Sequence, residues 1–133
     1  MDIVRNVQKL LYGQLSGEDY GVDVGVYSYL PRDVIFPYIL ISMDDIETRQ
    51  NFGYDAVTVK IEIKILDRNE NNLQILEISD KVLAIIISLR GIIFENLRIV
   101  SVFPIENELK LRSDINSSWS NRLSFKLAVE RLS

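Results

Sequence analysis

The chain has 133 residues, 47% of them hydrophobic and 26% charged, with 19 Asp and Glu against 15 Lys and Arg and a formal net charge of −4. That length and balance fit one globular domain over 1–133, and the acidic excess disfavours a phosphate-gripping surface, which needs clustered Lys and Arg. There is no cysteine and no histidine, which removes disulfides, thiolate metal sites, cysteine nucleophiles and every imidazole acid, base or metal ligand.

Met1 to Arg5 shows no basic region followed by an apolar run, so the sequence predicts no signal or transit peptide and a chain kept in the cytoplasm. Residues 2 to 15 space Ile3, Val4, Val7, Leu10, Leu11 and Leu15 by threes and fours, with Asp2 at the start and Gly17 just past the end. This spacing predicts an amphipathic helix. Val22 to Leu30 alternates imperfectly around Val22, Val24 and Val26 and reads as a strand. Pro31 and Pro37 then fix φ and push Leu30 and Phe36 towards extended geometry, so no helix passes here. Proline lacks a donor, which places Pro37 at the head of the next strand, Tyr38 to Met43.

Met43 to Asp55 is mostly polar and reads as a long loop. Its residues Asp44, Asp45, Glu47, Arg49, Phe52 and Tyr54 become the first candidates for contact with a protein partner, because long loops in compact domains tend to be functional. Ala56 to Leu66 carries the clearest period in the chain, with Val57, Val59, Ile61, Ile63 and Ile65 against Thr58, Lys60, Glu62 and Lys64. It predicts a half-exposed antiparallel strand. Asn72 to Leu89 reads as the longer, central helix, with Leu73, Leu76, Val82, Leu83, Ile86 and Leu89 apolar and Gly91 closing it. Strands return at Leu97 to Ile105, Leu109 to Leu111 and Leu123 to Leu132, with residues 113 to 121 as a turn. Trp119 in that turn is a second candidate for partner contact, or else folds back onto the sheet; both readings stay open. The order predicts an α+β domain: a mainly antiparallel sheet, its strands joined by hairpins or meanders, with one face covered by the N-terminal and central helices. The most apolar run, Val82 to Leu89, is far shorter than a bilayer span, and no membrane partner is expected.

Chemistry has little to build on. Asp33 or Asp44 with Glu62-Ile63-Lys64 imitates the metal-holding acids and the lysine of Mg²⁺-dependent nucleases. The same spacing arises in any strand with a solvent-facing row of charges, and that reading is preferred. Asp44, Asp45 and Glu47 lack the glycine and ligand spacing of a calcium loop. No serine has a histidine to activate it, and no glycine-rich phosphate loop occurs. No cofactor, metal or catalytic residue is assigned, and the chain reads as a non-enzyme.

The N-terminal helix, the valine strand ending at Tyr27 and Pro31, the Phe36-Pro37-Tyr38-Ile39 start of the next strand, the Val57 to Ile65 strand, the helix through Leu83 and the closing Arg122-Leu123-Ser124-Phe125 together resemble the tail-completion, or tail terminator, proteins of long-tailed bacteriophages, prophages and gene transfer agents. The resemblance spans nearly the whole chain and rests on structural motifs. The sequence departs from the family in having less histidine and tryptophan and a short last loop. It implies a structural subunit that forms a ring with itself, commonly a hexamer, capping the completed tail-tube protein and joining it to the head connector protein. DNA would pass through without specific binding. The place implied is the virion tail, with assembly in the bacterial host cytoplasm. The residues alone leave other roles open: a small acidic chaperone or adaptor of a secretion or regulatory system and, behind it, the nuclease.

Overall fold

The computed structural model describes residues 2–49, 56–68, 71–112 and 118–132. Two helices, α1 (Asp2–Ser16) and α2 (Leu73–Ile87), accompany six strands: β1 (Gly25–Tyr27), β2 (Tyr38–Arg49), β3 (Ala56–Asp67), β4 (Ile93–Phe94), β5 (Leu97–Arg112) and β6 (Ser118–Arg131). The strands form one sheet in the order β1-β2-β3-β6-β5-β4. The class is α+β, as the sequence predicts, and the two helices are equally long at 15 residues each.

The core lies between the helices and one face of the sheet. Val57, Val59, Ile61, Ile63 and Ile65 of β3 are buried, and β6 sets Val129, Leu127, Phe125 and Leu123 directly opposite the first four of them. Ile39 and Ile41 of β2 and Leu97 and Ile99 of β5 extend the same face. α1 closes it with Ile3, Val7, Leu10, Leu11 and Leu15, and α2 with Ile75, Ile78, Val82 and Ile86. Removing this surface from water is the dominant stabilising term.

Several expectations need correction. β1 is three residues long and pairs in parallel with β2, Val26 beside Ile39, so this pair is not a hairpin. The strand after the prolines starts at Tyr38, as expected, and the Phe36–Pro37 peptide is cis. The Pro37 carbonyl accepts a 3.2 Å bond from the Gly25 amide. An aromatic group holds this corner: the Tyr38 ring lies 6.0 Å from Tyr27 and 5.1 Å from Phe36, and the Arg68 guanidinium sits 4.1 Å from the centre of the Phe36 ring.

β2 does not stop at Met43. It continues to Arg49 through a bulge: Met43 lies opposite Ile61, Asp45 opposite Lys60, and Asp44 is the extra residue. The bulge shifts the alternation by one, which hides the strand from a period-two reading. β5 likewise joins the two predicted strands into one, with bulges that leave Val100 and Ile105 as extra residues. They bring Leu97, Ile99 and Val102 opposite Arg131, Val129 and Leu127, while Phe103 falls opposite Lys126 and is 69% exposed. On α2, Leu73 and Leu76 are exposed and belong to its outer side. Gly91 has φ +84°, the left-handed conformation that ends this helical region and that L side chains rarely adopt.

Candidate interaction surfaces

The proposed contact loop divides in two. Asp44, Asp45, Glu47 and Arg49 belong to β2, with Asp45 opposite Lys60, Glu47 opposite Thr58 and Arg49 opposite Ala56. They form a strand because the β3 backbone, already bonded to β6 on one side, needs partners on the other. Phe52 and Tyr54 lie outside the described residues. Trp119 is not in a turn. It stands on β6 between Asp67 and Leu111 and packs half-buried against the core, with its indole Nε1 buried and without a hydrogen-bond partner among the described residues. Nearby, Gln74 Nε2 donates a 3.0 Å bond to the buried Asp67 carboxylate. Asn121 Nδ2 donates a 2.7 Å bond to Ser79 Oγ, whose hydroxyl donates to the Ile75 carbonyl at 2.6 Å, so this polar chain ties α2 to β6.

The sheet face away from the helices carries charge. Lys64 lies opposite Arg122 and Lys60 opposite Lys126, like-charged pairs that are unfavourable on their own. Carboxylates offset them: Arg122 reaches Glu106 at 2.7 Å and Glu108 at 3.4 Å, Lys110 meets Glu108 at 2.8 Å, and Arg98 lies 3.8 Å from Glu130. The Lys110 hydrogen bond and charge, helped by Arg122, hold the Glu108 carboxyl below the usual carboxylate range. Lys64 Nζ lies 3.7 Å from Glu62, so the pair that imitates a nuclease belongs to this row of surface ion pairs. Asp33 is exposed in the loop after β1. Among the described residues no group of three His, Cys, Asp or Glu side chains is placed to hold a metal ion.

Two other surfaces are built differently. The outer side of α2 bears Leu73, Leu76, Asp80, Leu83 and Ile87 at alternating steps of three and four, hence one stripe. Leu73 is 61% and Ile87 49% exposed. Leu83 and Ile87 also line an apolar cleft against Pro104 and Ile105 of β5. The signal was present in the sequence, because a helix apolar on two sides needs something to cover each. The second surface is a groove on the outer side of α1, lined by Arg5, Lys9, Tyr12, Ser28 and Phe94. The curled sheet brings its β4 end round to α1: Asn6 Nδ2 donates to Asn96 Oδ1 at 3.2 Å, and Lys9 lies 4.0 Å from Glu95.

The sheet also has two long open edges. Among the described residues, β1 covers β2 only from Tyr38 to Leu40, and β4 with Gly91 and Ile92 before it covers β5 only from Leu97 to Ile99. Unpaired edge backbone is a template for another strand.

No protein-family model matches the chain, and no curated protein sequence does either. Among solved structures it is similar to a chain of the virion of the native gene transfer agent particle, with TM-score 0.76, 13% identity and coverage of 96% of each chain. At that identity the likeness is one of fold, over essentially the full length of both chains.

Proposed function

We propose that this protein is a structural subunit of a phage-like particle, and within it the tail terminator: a ring of identical subunits that caps the finished tail tube and joins it to the head connector. The observation that carries this reading is the full-length fold likeness to a chain of a gene transfer agent virion. The helix, proline-headed strand and closing strand that resemble the tail-completion family point the same way.

The role is assembly. Subunits in a closed ring meet head to tail, so each presents two different surfaces, and the rotation between them sets the copy number, which we place at six. The open edges of β2 and β5 are further surfaces on which other proteins of the particle could pair, and β2 carries Asp44, Asp45, Glu47 and Arg49 along one of them. A charged face whose cations are mostly paired within the chain offers passing DNA little to hold, since retention depends on unneutralised Lys and Arg.

Deleting the gene from a producing host and imaging the lysate by electron microscopy tests the reading. Unjoined heads and tails, with tails of irregular length, are expected. Intact particles of normal tail length would overturn it.

A further inference from the structure

The outer stripe of α2 and the groove on α1 differ in their charged rims. The stripe has Asp80 within it and Glu77 at its edge, both exposed and without an ion-pair partner among the described residues. The groove is flanked by Arg5, which likewise has no ion-pair partner among the described residues, and by Lys9, whose only ion pair there is the 4.0 Å contact to Glu95. The apolar parts differ too: aliphatic side chains stand out on α2, whereas Tyr12 and Phe94 line a concave site on α1. In a chain of net charge −4, a basic-rimmed apolar groove fits a ridge that mixes apolar and acidic side chains, and this chain carries both.

We propose that the α2 stripe of one subunit docks in the α1 groove of a second copy of this chain, head to tail. The inference rests on the ring-forming role above and names the surfaces that would build the ring. The alternatives are disfavoured by charge. Stripe against stripe sets Glu77 and Asp80 against themselves, and groove against groove does the same to Arg5 and Lys9, each a like-charge contact that penalises a two-fold dimer. Stripe into groove sets Asp80 and Glu77 against Arg5 and Lys9 while the apolar side chains beside them meet Tyr12 and Phe94. It also explains why α2 is apolar on two adjacent sides: Ile75, Ile78, Val82 and Ile86, with the half-buried Leu83, serve the subunit's own core, and the exposed Leu73, Leu76 and Ile87 serve the neighbour.

The test uses two charge-reversed full-length proteins, one with Glu77→Lys and Asp80→Lys, the other with Arg5→Glu and Lys9→Glu. All four positions are exposed, and circular dichroism checks that the fold is kept. Each protein alone should self-associate at least ~10-fold more weakly than the parent by analytical ultracentrifugation. An equimolar mixture should recover assembly, because the reversed stripe of one meets the reversed groove of the other, and native mass spectrometry should find the two in equal numbers. As an independent readout, the chain has no cysteine, so Tyr12→Cys and Leu76→Cys proteins should cross-link to each other under mild oxidation and form no pairs separately. A parent that assembles while both reversed proteins assemble equally well, or a mixture that fails to recover, overturns the docking and leaves the ring standing. A parent that stays monomeric at every concentration overturns both.

Discussion

The open face of the sheet and the outer side of α2 are both exposed, yet they are built on opposite terms. On the open face, Arg122, Lys110, Arg98 and Lys64 find carboxylates within the same chain. On α2, Leu73, Leu76 and Ile87 face water with Glu77 and Asp80 unpaired among the described residues beside them. The cations of the first surface are mostly matched within one subunit, with Phe103 standing exposed beside Lys126. Apolar groups exposed in a row along a helix, as on the second, are those whose burial a partner would reward.

The contrast can be broken or sharpened by measurement, beginning with adjacent residues on opposite sides of one strand. Phe125 is 1% exposed, and Phe125→Ala should cost about 3–5 kcal/mol in a urea melt, whereas Lys126→Ala, on the open face, should stay within about 0.5 kcal/mol. A large loss from the lysine would mean that the open face holds the fold together. Next comes the inner attachment of α2. Ser79→Ala strips the Asn121 amide of its buried acceptor and should cost about 1–3 kcal/mol.

The outer stripe should behave differently. Leu73→Gln with Leu76→Gln should move the urea midpoint little, within about 0.5 kcal/mol per site, while weakening self-association measured by sedimentation. If stability fell and association did not, the stripe would belong to the subunit's own structure. The smallest effect lies in the ion pairs. Lys110→Met should raise the Glu108 carboxyl towards the ordinary glutamate range in an NMR titration, because the lysine's hydrogen bond and charge lower it. A carboxyl lowered by folding adds stability that is present above its unfolded pKa and is lost as pH falls through the folded value. Acid should therefore loosen the open face before the core, and the Lys110→Met protein should lose that part of the acid sensitivity.

What the sequence revealed follows from where its periods are unbroken. α1 shows a single apolar side, and β3 alternates from Val57 to Ile65 without interruption, so both were readable to within a residue or so. β2 and β5 were truncated or split because Asp44, Val100 and Ile105 are bulge residues, and one inserted residue inverts the in-and-out pattern for everything after it. β1 is legible as extended chain but not as a parallel partner, since the three residues Gly25, Val26 and Tyr27 carry no information about strand direction. On α2 the helix was clear and its inner side was not: with apolar residues on two sides, Leu73 and Leu76 had as strong a claim to the core as Ile75 and Ile78. The candidate contact residues are least legible: the charges of Asp45, Glu47 and Arg49 fit a solvated loop as well as a strand, and the serines around Trp119 fit a turn.

The bulges of β5 have a consequence for how a subunit waits before it is used. From Val100 to Arg112 this strand has no outer backbone neighbour among the described residues, yet Pro104 removes one backbone donor and Val100 and Ile105 twice break the even spacing of the remainder. A regular strand from an unrelated chain cannot zip along such an edge. Only a surface with matching irregularities would fit, so the shape of this edge guards the chain against indiscriminate strand pairing.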